Sequence, residues 1–303
     1  MLDLIIIGGG MAGMTSALYA LRNNKSVLIL EKESVGGQIA KSPKVENYPT
    51  KKEISGSELA DELFEQIMAL GVQFELENVA AVSKENNKFL VTTDYNTYEA
   101  KSLIIATGAS PRTLGLTNEE KLIGHGIFYC AICDGPFFTG KEVTLIGDAN
   151  SALQYALMLS SYCSKVNLIT LFDRFFGEQT LIDAVKRTPN IEITHNAKSI
   201  ALNGESELES IVFERPDGSV FEHKTNACFV AIGQKPDNNI FAKLVDLDKN
   251  GYIIADEACT TKTAGLFVAG DCRTKGIRQV ATAIGDGAVA GTCACKYLNT
   301  LEG

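Results

Sequence analysis

A surplus of basic residues is what this sequence most plainly lacks: 28 lysines and arginines face 37 aspartates and glutamates, for a net charge of −9. Binding to a nucleic-acid backbone calls for a basic surface, so nucleic acid is not expected as a partner. Long apolar runs are missing too. No stretch approaches the ~20 residues of a membrane span, and the N-terminus enters an apolar strand without a basic leader region, so the expected setting is cytoplasmic. Only three histidines are present, and of these His125 reads as a polar loop residue. The eight cysteines do not assemble a four-ligand zinc pattern, since the close pair Cys293 and Cys295 sits in an expected helix where neighbouring side chains diverge. No metal site is expected. What remains is the composition of an ordinary globular protein, 45% hydrophobic and 21% charged, long enough for two cores.

The pair that does carry chemistry is Cys130-Ala131-Ile132-Cys133, followed by Asp134. Two cysteines at this spacing close a small disulfide ring, which in a cytosolic chain reads as a redox couple. Opening it releases a thiolate that needs a proton. Asp134, beside it in a partly apolar setting, is the candidate acid/base.

Around this pair the chain alternates strands and helices. Leu2–Ile7 reads as a strand buried on both faces, followed by Gly8-Gly9-Gly10-Met11-Ala12-Gly13, a helix over 12–23 and a strand over 26–30 ending at Glu31. The G-x-G-x-x-G motif therefore stands in the context it requires: glycines admit a pyrophosphate to a helix N-terminus, and the acid accepts from a ribose. A helix is expected over 55–70. A buried strand ending Ala106-Thr107-Gly108 offers a second close backbone approach to a nucleotide. The organisation then repeats, with a strand over 142–146, Gly147-Asp148-Ala149-Asn150-Ser151-Ala152, a helix over 151–161 and a strand over 165–170. Residues 264–298 return to the first unit, with a strand delivering Asp271 and a helix studded with Gly285, Gly287 and Gly291, whose cost to helix stability implies close packing. The expected fold is α/β, with two Rossmann-like nucleotide-binding domains, the second inserted in the first: 1–113 and 241–303 for one, 114–240 for the other, with crossovers near Pro111 and Pro236.

The fingerprint at 8–13, Gly36-Gly37-Gln38, Cys130-Ala131-Ile132-Cys133-Asp134-Gly135, Gly270-Asp271 and Arg278-Gln279 together resemble the low-molecular-weight thioredoxin reductases, in order and spacing over nearly the whole chain. The resemblance implies an FAD-binding first domain. Gly8, Gly10, Ala12 and Gly13 would line the pyrophosphate, Glu31 and Lys32 the adenosine, and Val79 the adenine. Gly37, Gln38, Asn47, Arg278, Gln279 and Val280 would approach the isoalloxazine, while Thr107, Gly108, Gly270 and Asp271 complete the site, with Asp271 toward the ribityl chain. Cys133 would face the flavin and Cys130 would exchange with thioredoxin, in a homodimer.

Departures from that family bear on the electron source. Members that use NADPH carry a second glycine turn and a His-Arg-Arg cluster; here Ala149 replaces the middle glycine, Asp148 adds a negative charge, and Thr170-Leu171-Phe172 and Phe176 stand at the His and Arg positions. At an effective dielectric of ~20, two like charges ~4 Å apart cost about 4 kcal/mol. Arg174 alone makes no phosphate clamp, and Thr170 is not the acid that a free ribose would want. In this the chain resembles the ferredoxin-dependent flavin thioredoxin reductases, although the sequence does not separate that group from related reductases lacking the same motif. Lys41, Lys44, Lys51 and Lys52, with Arg273, Lys275 and Arg278, form two basic stretches expected to flank the flavin edge and steer an acidic carrier. Two other readings stay open: an NAD(P)H-dependent enzyme of the same fold, and a flavin-bound redox sensor.

Overall fold

The computed structural model describes residues 1–42 and 45–302. The chain divides into two compact units, residues 1–110 with 235 onward, and residues 111–234.

The first unit begins with β1 (Leu2–Ile7), α1 (Met11–Leu21) and β2 (Val27–Glu31), continues through α2 (Gly56–Ala69), β3 (Gln73–Leu76), β4 (Val79–Glu85) and β5 (Lys88–Thr93), and reaches β6 (Thr97–Ile105). Apolar residues on both faces explain why β1 and the C-terminal half of β6 form the centre of the sheet: Leu4, Ile5, Ile6, Leu103, Ile104 and Ile105 are fully buried. β1 pairs in parallel with β2 and β6, and β3 with β2, while β5 and β4 continue in antiparallel fashion from the N-terminal half of β6. Ser55 caps α2 by accepting from the Glu58 amide, which satisfies one of the free N–H groups of the first turn.

A crossover strand β7 (Ser110–Pro111) leads to the second unit, which holds α3 (Glu119–Leu122), β8 (Ile127–Phe128), α4 (Ala131–Asp134), β9 (Glu142–Ile146), α5 (Asn150–Ser160), β10 (Lys165–Ile169), α6 (Gln179–Arg187) and β11 (Ile191–Thr194). An antiparallel meander, β12 (Lys198–Asn203), β13 (Ser210–Glu214) and β14 (Val220–Lys224), precedes β15 (Cys228–Val230). Here too the sheet is parallel, in the order β11-β10-β9-β15-β8.

The chain returns through β16 (Gln234–Lys235), paired with β7, to β17 (Leu266–Val268) and α7 (Val280–Glu302). β17 adds in parallel to β6 at Leu103–Ile105. The division falls at 111 and 235 rather than at 114 and 241. The later shift has a clear cause: the Asn238 side chain donates to the carbonyls of Gly251 and Cys272, both 2.9 Å away, and Phe241 is fully buried in the first unit's core.

The glycines of α7 divide by their surroundings. A Cβ at Gly287 would overlap the Ala12 carbonyl oxygen and one at Gly291 would lie 2.6 Å from the Ser16 oxygen, whereas one at Gly285 meets nothing within 4 Å. Gly287 and Gly291 thus let α7 press against α1, and Ser16 Oγ donates across the seam to the Gly287 carbonyl at 3.1 Å. Among the described residues no helix is long and apolar enough to cross a membrane.

Candidate active site

In the first unit, two of the expected glycines, Gly8 and Gly13, are required by geometry. Gly8 has φ +112°, and a Cβ there would overlap the Ala106 carbonyl oxygen; a Cβ at Gly13 would overlap the carbonyl oxygen of Gly8. Both close approaches bring the strand end, the turn and α1 together, and α1 carries no acid in its first turn to compete with an anion. The Glu31 carboxylate, at the end of β2, accepts from the Gly9 amide at 2.7 Å and from the Glu33 amide at 2.9 Å. Lys32 is exposed and lies 4.0 Å from Glu33. Gly36 lies across Gly10 as an isolated parallel bridge and bonds the Gly9 carbonyl, and Gly37 and Gln38 follow in a short 3-10 helix.

The remaining expected contacts come from distant parts of the chain. Asn47 Nδ2 donates to Gln279 Oε1 at 3.1 Å, joining two segments 232 residues apart. Val280 opens α7, Val79 is buried at the start of β4, and Thr107 Oγ1 lies 3.4 Å from the Asn238 side-chain oxygen. Gly108 and Gly270 adopt φ +68° and +81°. Asp271 follows β17, and its Oδ1 is buried without a hydrogen-bond partner among the described residues. Burial holds this carboxyl above the ordinary range, against the opposing charges of Lys275 and Arg278. A buried acceptor left unpaired at a strand's C-terminal end is the place for a ligand hydroxyl.

The expected basic flank is corrected by the same region. Lys275 and Arg273, with side chains only 9% and 11% exposed, both pair with Asp286 on α7, at 2.8 and 3.0 Å. Asp286 also accepts from the Gly270 amide. These two cations are internal struts that hold the loop after β17 to α7, not a steering surface. Arg278 stacks on Tyr252, 4.1 Å from the ring centre. Lys51 pairs with Glu62 at 2.6 Å and Lys41 lies 3.9 Å from Glu33, while Lys44 lies outside the described residues. Asp286 was not foreseen, because an acid among helix glycines gives no sign that it will gather three donors.

In the second unit, Cys130 and Cys133 form a disulfide. Cys130 is the N-cap of α4, and its sulfur accepts from the Cys133 amide at 3.2 Å. That amide is aimed to stabilise charge on the sulfur once the disulfide is opened. Asp134 is buried, and burial pushes its carboxyl up to about 7, close to where a general acid works at neutral pH. Immediately before the pair, Tyr129 donates its hydroxyl to Glu119 at 2.5 Å. The buried Glu119 carboxylate also accepts from the amides of Leu114 and Gly115 at 2.7 and 2.8 Å, and so anchors the strand leading into the disulfide. Sequence reading passed over Glu119 and Tyr129, since no motif or spacing marks the two as partners. His125 holds a turn through its backbone, bonding Leu122 and Leu208.

The second glycine turn repeats the backbone bonds of the first at corresponding residues. The Gly147 amide bonds the Ile169 carbonyl as Gly8 bonds Leu30, so Thr170 occupies the place of Glu31. Ala149 caps α5 with the extended backbone that Gly10 shows at α1. Phe176 bridges Ala149 and bonds the Asp148 carbonyl, just as Gly36 bridges Gly10 and bonds Gly9. Thr170 Oγ1 is engaged with the Phe172 carbonyl and with His195 Nδ1, both at 2.7 Å. Leu171, Phe172 and Phe176 are about half exposed, Phe172 and Phe176 meet edge to face at 5.2 Å, and Arg174 covers the Phe176 ring.

A dinucleotide turn with an unpaired acid at the strand end, and a separate parallel-sheet unit bearing a closed Cys-x-x-Cys beside a buried carboxyl, together define a nucleotide-dependent disulfide oxidoreductase. The chain belongs to the pyridine nucleotide-disulphide oxidoreductase family, whose sequence profile matches residues 2–287. It is 36% identical over 302 residues to the thioredoxin reductase of Treponema pallidum (strain Nichols), covering 99% of this chain and 98% of that one. It is 38% identical over 299 residues to a 34.2 kDa protein of the rubredoxin operon of Clostridium pasteurianum, covering 98% and 97%. Its structure matches that of the thioredoxin reductase from Streptococcus pyogenes MGAS5005 with a TM-score of 0.94 and 35% identity over 99% of each chain. The protein is a flavoprotein disulfide oxidoreductase of the thioredoxin reductase type. The family binds FAD, and the crowded Gly8 and Gly13 turn with the unpaired Asp271 oxygen fits that cofactor.

Proposed function

We propose that this chain reduces thioredoxin through the Cys130–Cys133 disulfide, drawing electrons from reduced ferredoxin rather than from NADPH, as a cytoplasmic homodimer. The observation that carries the choice of donor is Phe176 lying across Ala149, where the first unit has Gly36 across Gly10. Asp148, Ala149 and Phe176 bring side chains to the turn where a second pyrophosphate would need bare backbone, and Leu171 and Phe172 bring no charge for a 2′-phosphate.

Bound FAD supplies the redox link between donor and disulfide. Gly8, Gly10, Ala12 and Gly13 would hold its pyrophosphate, Glu31 and Lys32 its adenosine and Val79 its adenine. Thr107, Gly108, Gly270 and Asp271 would hold the central chain, and Gly37, Gln38, Asn47, Arg278, Gln279 and Val280 the ring. Cys130, with its sulfur held by the Cys133 amide, is the thiolate that attacks thioredoxin. Asp134 gives or takes the proton as that exchange proceeds.

An NAD(P)H-dependent reaction is the second reading, favoured by what the second turn retains: Gly147 at φ +157° and an α5 first turn without acids. One experiment separates the two. Thioredoxin thiols are counted anaerobically with NADPH, NADH or reduced ferredoxin as donor. Ferredoxin is expected to support turnover and the nicotinamides to fail; turnover with NADPH at the ferredoxin rate overturns the proposal. Absence of thioredoxin reduction with every donor would leave the redox-sensor reading in its place.

A further inference from the structure

The second unit contains a polar atom that the reaction described above does not use. Tyr162, just past the end of α5, has its hydroxyl buried with no hydrogen-bond partner among the described residues. That hydroxyl rests against the backbone of Gly135, the residue after Asp134, so closely that a Cβ on Gly135 would overlap it, and the Tyr162 Cζ would stand 3.4 Å from the same Cβ. Leaving a phenol hydroxyl unpaired in a protein interior is costly. The Asp134 side chain makes no hydrogen bond among the described residues, and burial alone accounts for the rise in its pKa. The enclosed Tyr162 hydroxyl thus lies against the residue that follows Asp134, beside Leu159 of α5. The titratable groups on the α5 side are Tyr155, Tyr162 and Cys163, each raised by burial, and no charged side chain acts on Asp134.

We propose that Tyr162 is a positioning residue for the proton step, its hydroxyl donating to the carboxylate that Asp134 becomes on giving up its proton. When a small dithiol opens the disulfide, its thiolate forms a new S–S bond to Cys130, and Cys133 Sγ leaves with the electron pair. The Asp134 proton passes to Cys133, and the negative charge rests on Asp134. The hydroxyl of Tyr162, idle while Asp134 is protonated, then has its acceptor, reached by a rotation of the Asp134 side chain. The assignment rests on reading Asp134 as the acid, and the test treats the two separately.

The test is the rate of opening of the disulfide by dithiothreitol in the full chain between about pH 5 and 9, taken as a ratio to Asp134→Asn at each pH, together with the infrared carboxyl titration of Asp134. A hydrogen bond to the charged form lowers an acid's pKa. Tyr162→Phe, which removes one oxygen, should therefore move the Asp134 titration and the rate limb upward by about one pH unit. Gly135→Ala, which drives the hydroxyl away, should move both in the same direction, and it carries the test if Tyr162→Phe fails to fold. Superimposable profiles for wild type and both variants overturn the role of Tyr162. If Asp134→Asn itself shows no lost limb, the acid assignment fails and the proposal for Tyr162 fails with it.

Discussion

Phe176 crosses Ala149 through the same bridge and the same amide-to-carbonyl bond by which Gly36 crosses Gly10. The backbone of the two nucleotide turns is thus alike while the side chains differ, and that separates scaffold from ligand. Restoring Gly at Asp148 and Ala149, with Arg at Leu171 and Phe172, is expected to create measurable NADPH affinity, because the dipole of α5 and the Gly147 turn are in place. Calorimetry should detect binding in the fourfold variant and none by wild type at millimolar nucleotide. Tight binding by wild type would show that Phe176 moves aside.

Thiol roles are expected to be unequal. With Cys130 at the N-cap of α4 and its sulfur accepting from the Cys133 amide, Cys133→Ser should trap a mixed disulfide between Cys130 and thioredoxin. Cys130→Ser should trap none. Non-reducing electrophoresis with mass mapping decides it, and a trap only in the second variant reverses the order.

Asp134 should cost stability for its chemistry. Its folded pKa, about 7, lies above the ~3.9 of an unfolded aspartate, so the native state binds more protons between those values and stability falls as pH rises from about 4 to 7. Above that window the cost is fully present, on the order of a few kcal/mol, since each pH unit separating the two values is worth about 1.4 kcal/mol. Denaturant unfolding should find Asp134→Asn more stable than wild type at pH 8 and little changed at pH 4, while its disulfide exchange at pH 7 is slower. Equal stabilities at both pH values would mean that the carboxyl reaches water.

The glycines of α7 offer an internally controlled pair. Gly287→Ala should destabilise the first unit by roughly 1–3 kcal/mol, because its Cβ meets the backbone of α1. Gly285→Ala, pointing into open space, should stabilise by about 0.5–1 kcal/mol through helix propensity. Melting temperatures that move in opposite directions are the expected result.

Strand and helix identities were readable wherever pattern decides them. The run at 142–146, the glycine turns and the helix near 56–69 follow from burial on both faces, from backbone approach and from helical spacing. Thr170 fell in the place of Glu31 because the register of a strand–turn–helix unit is fixed by residue count. What sequence could not show was pairing between distant side chains. Lys275 and Arg273 look like surface charges until Asp286 is seen to face them, and the place of Tyr162 depends on how the chain after Gly135 lies against the end of α5. The same holds for the return to the first unit, expected at 241 and found at 235, since Asn238 belongs to the first unit through bonds to Gly251 and Cys272.

The insertion also has a consequence in time. Leu103–Ile105 of β6 pairs with β17, which begins at Leu266, so all of residues 106–265 must be made between the two partners. At a synthesis rate of about 5–20 residues per second the edge waits roughly 8–30 s for its neighbour. β5 covers only the N-terminal half of that edge, at Thr97–Ala100. The apolar half stays open on the ribosome while the second unit, whose five-stranded sheet is contiguous in the chain, has everything it needs to close. An unpaired apolar edge is a template for association with other chains, so chaperone capture of the nascent chain should peak after β6 emerges and end once α7 has docked.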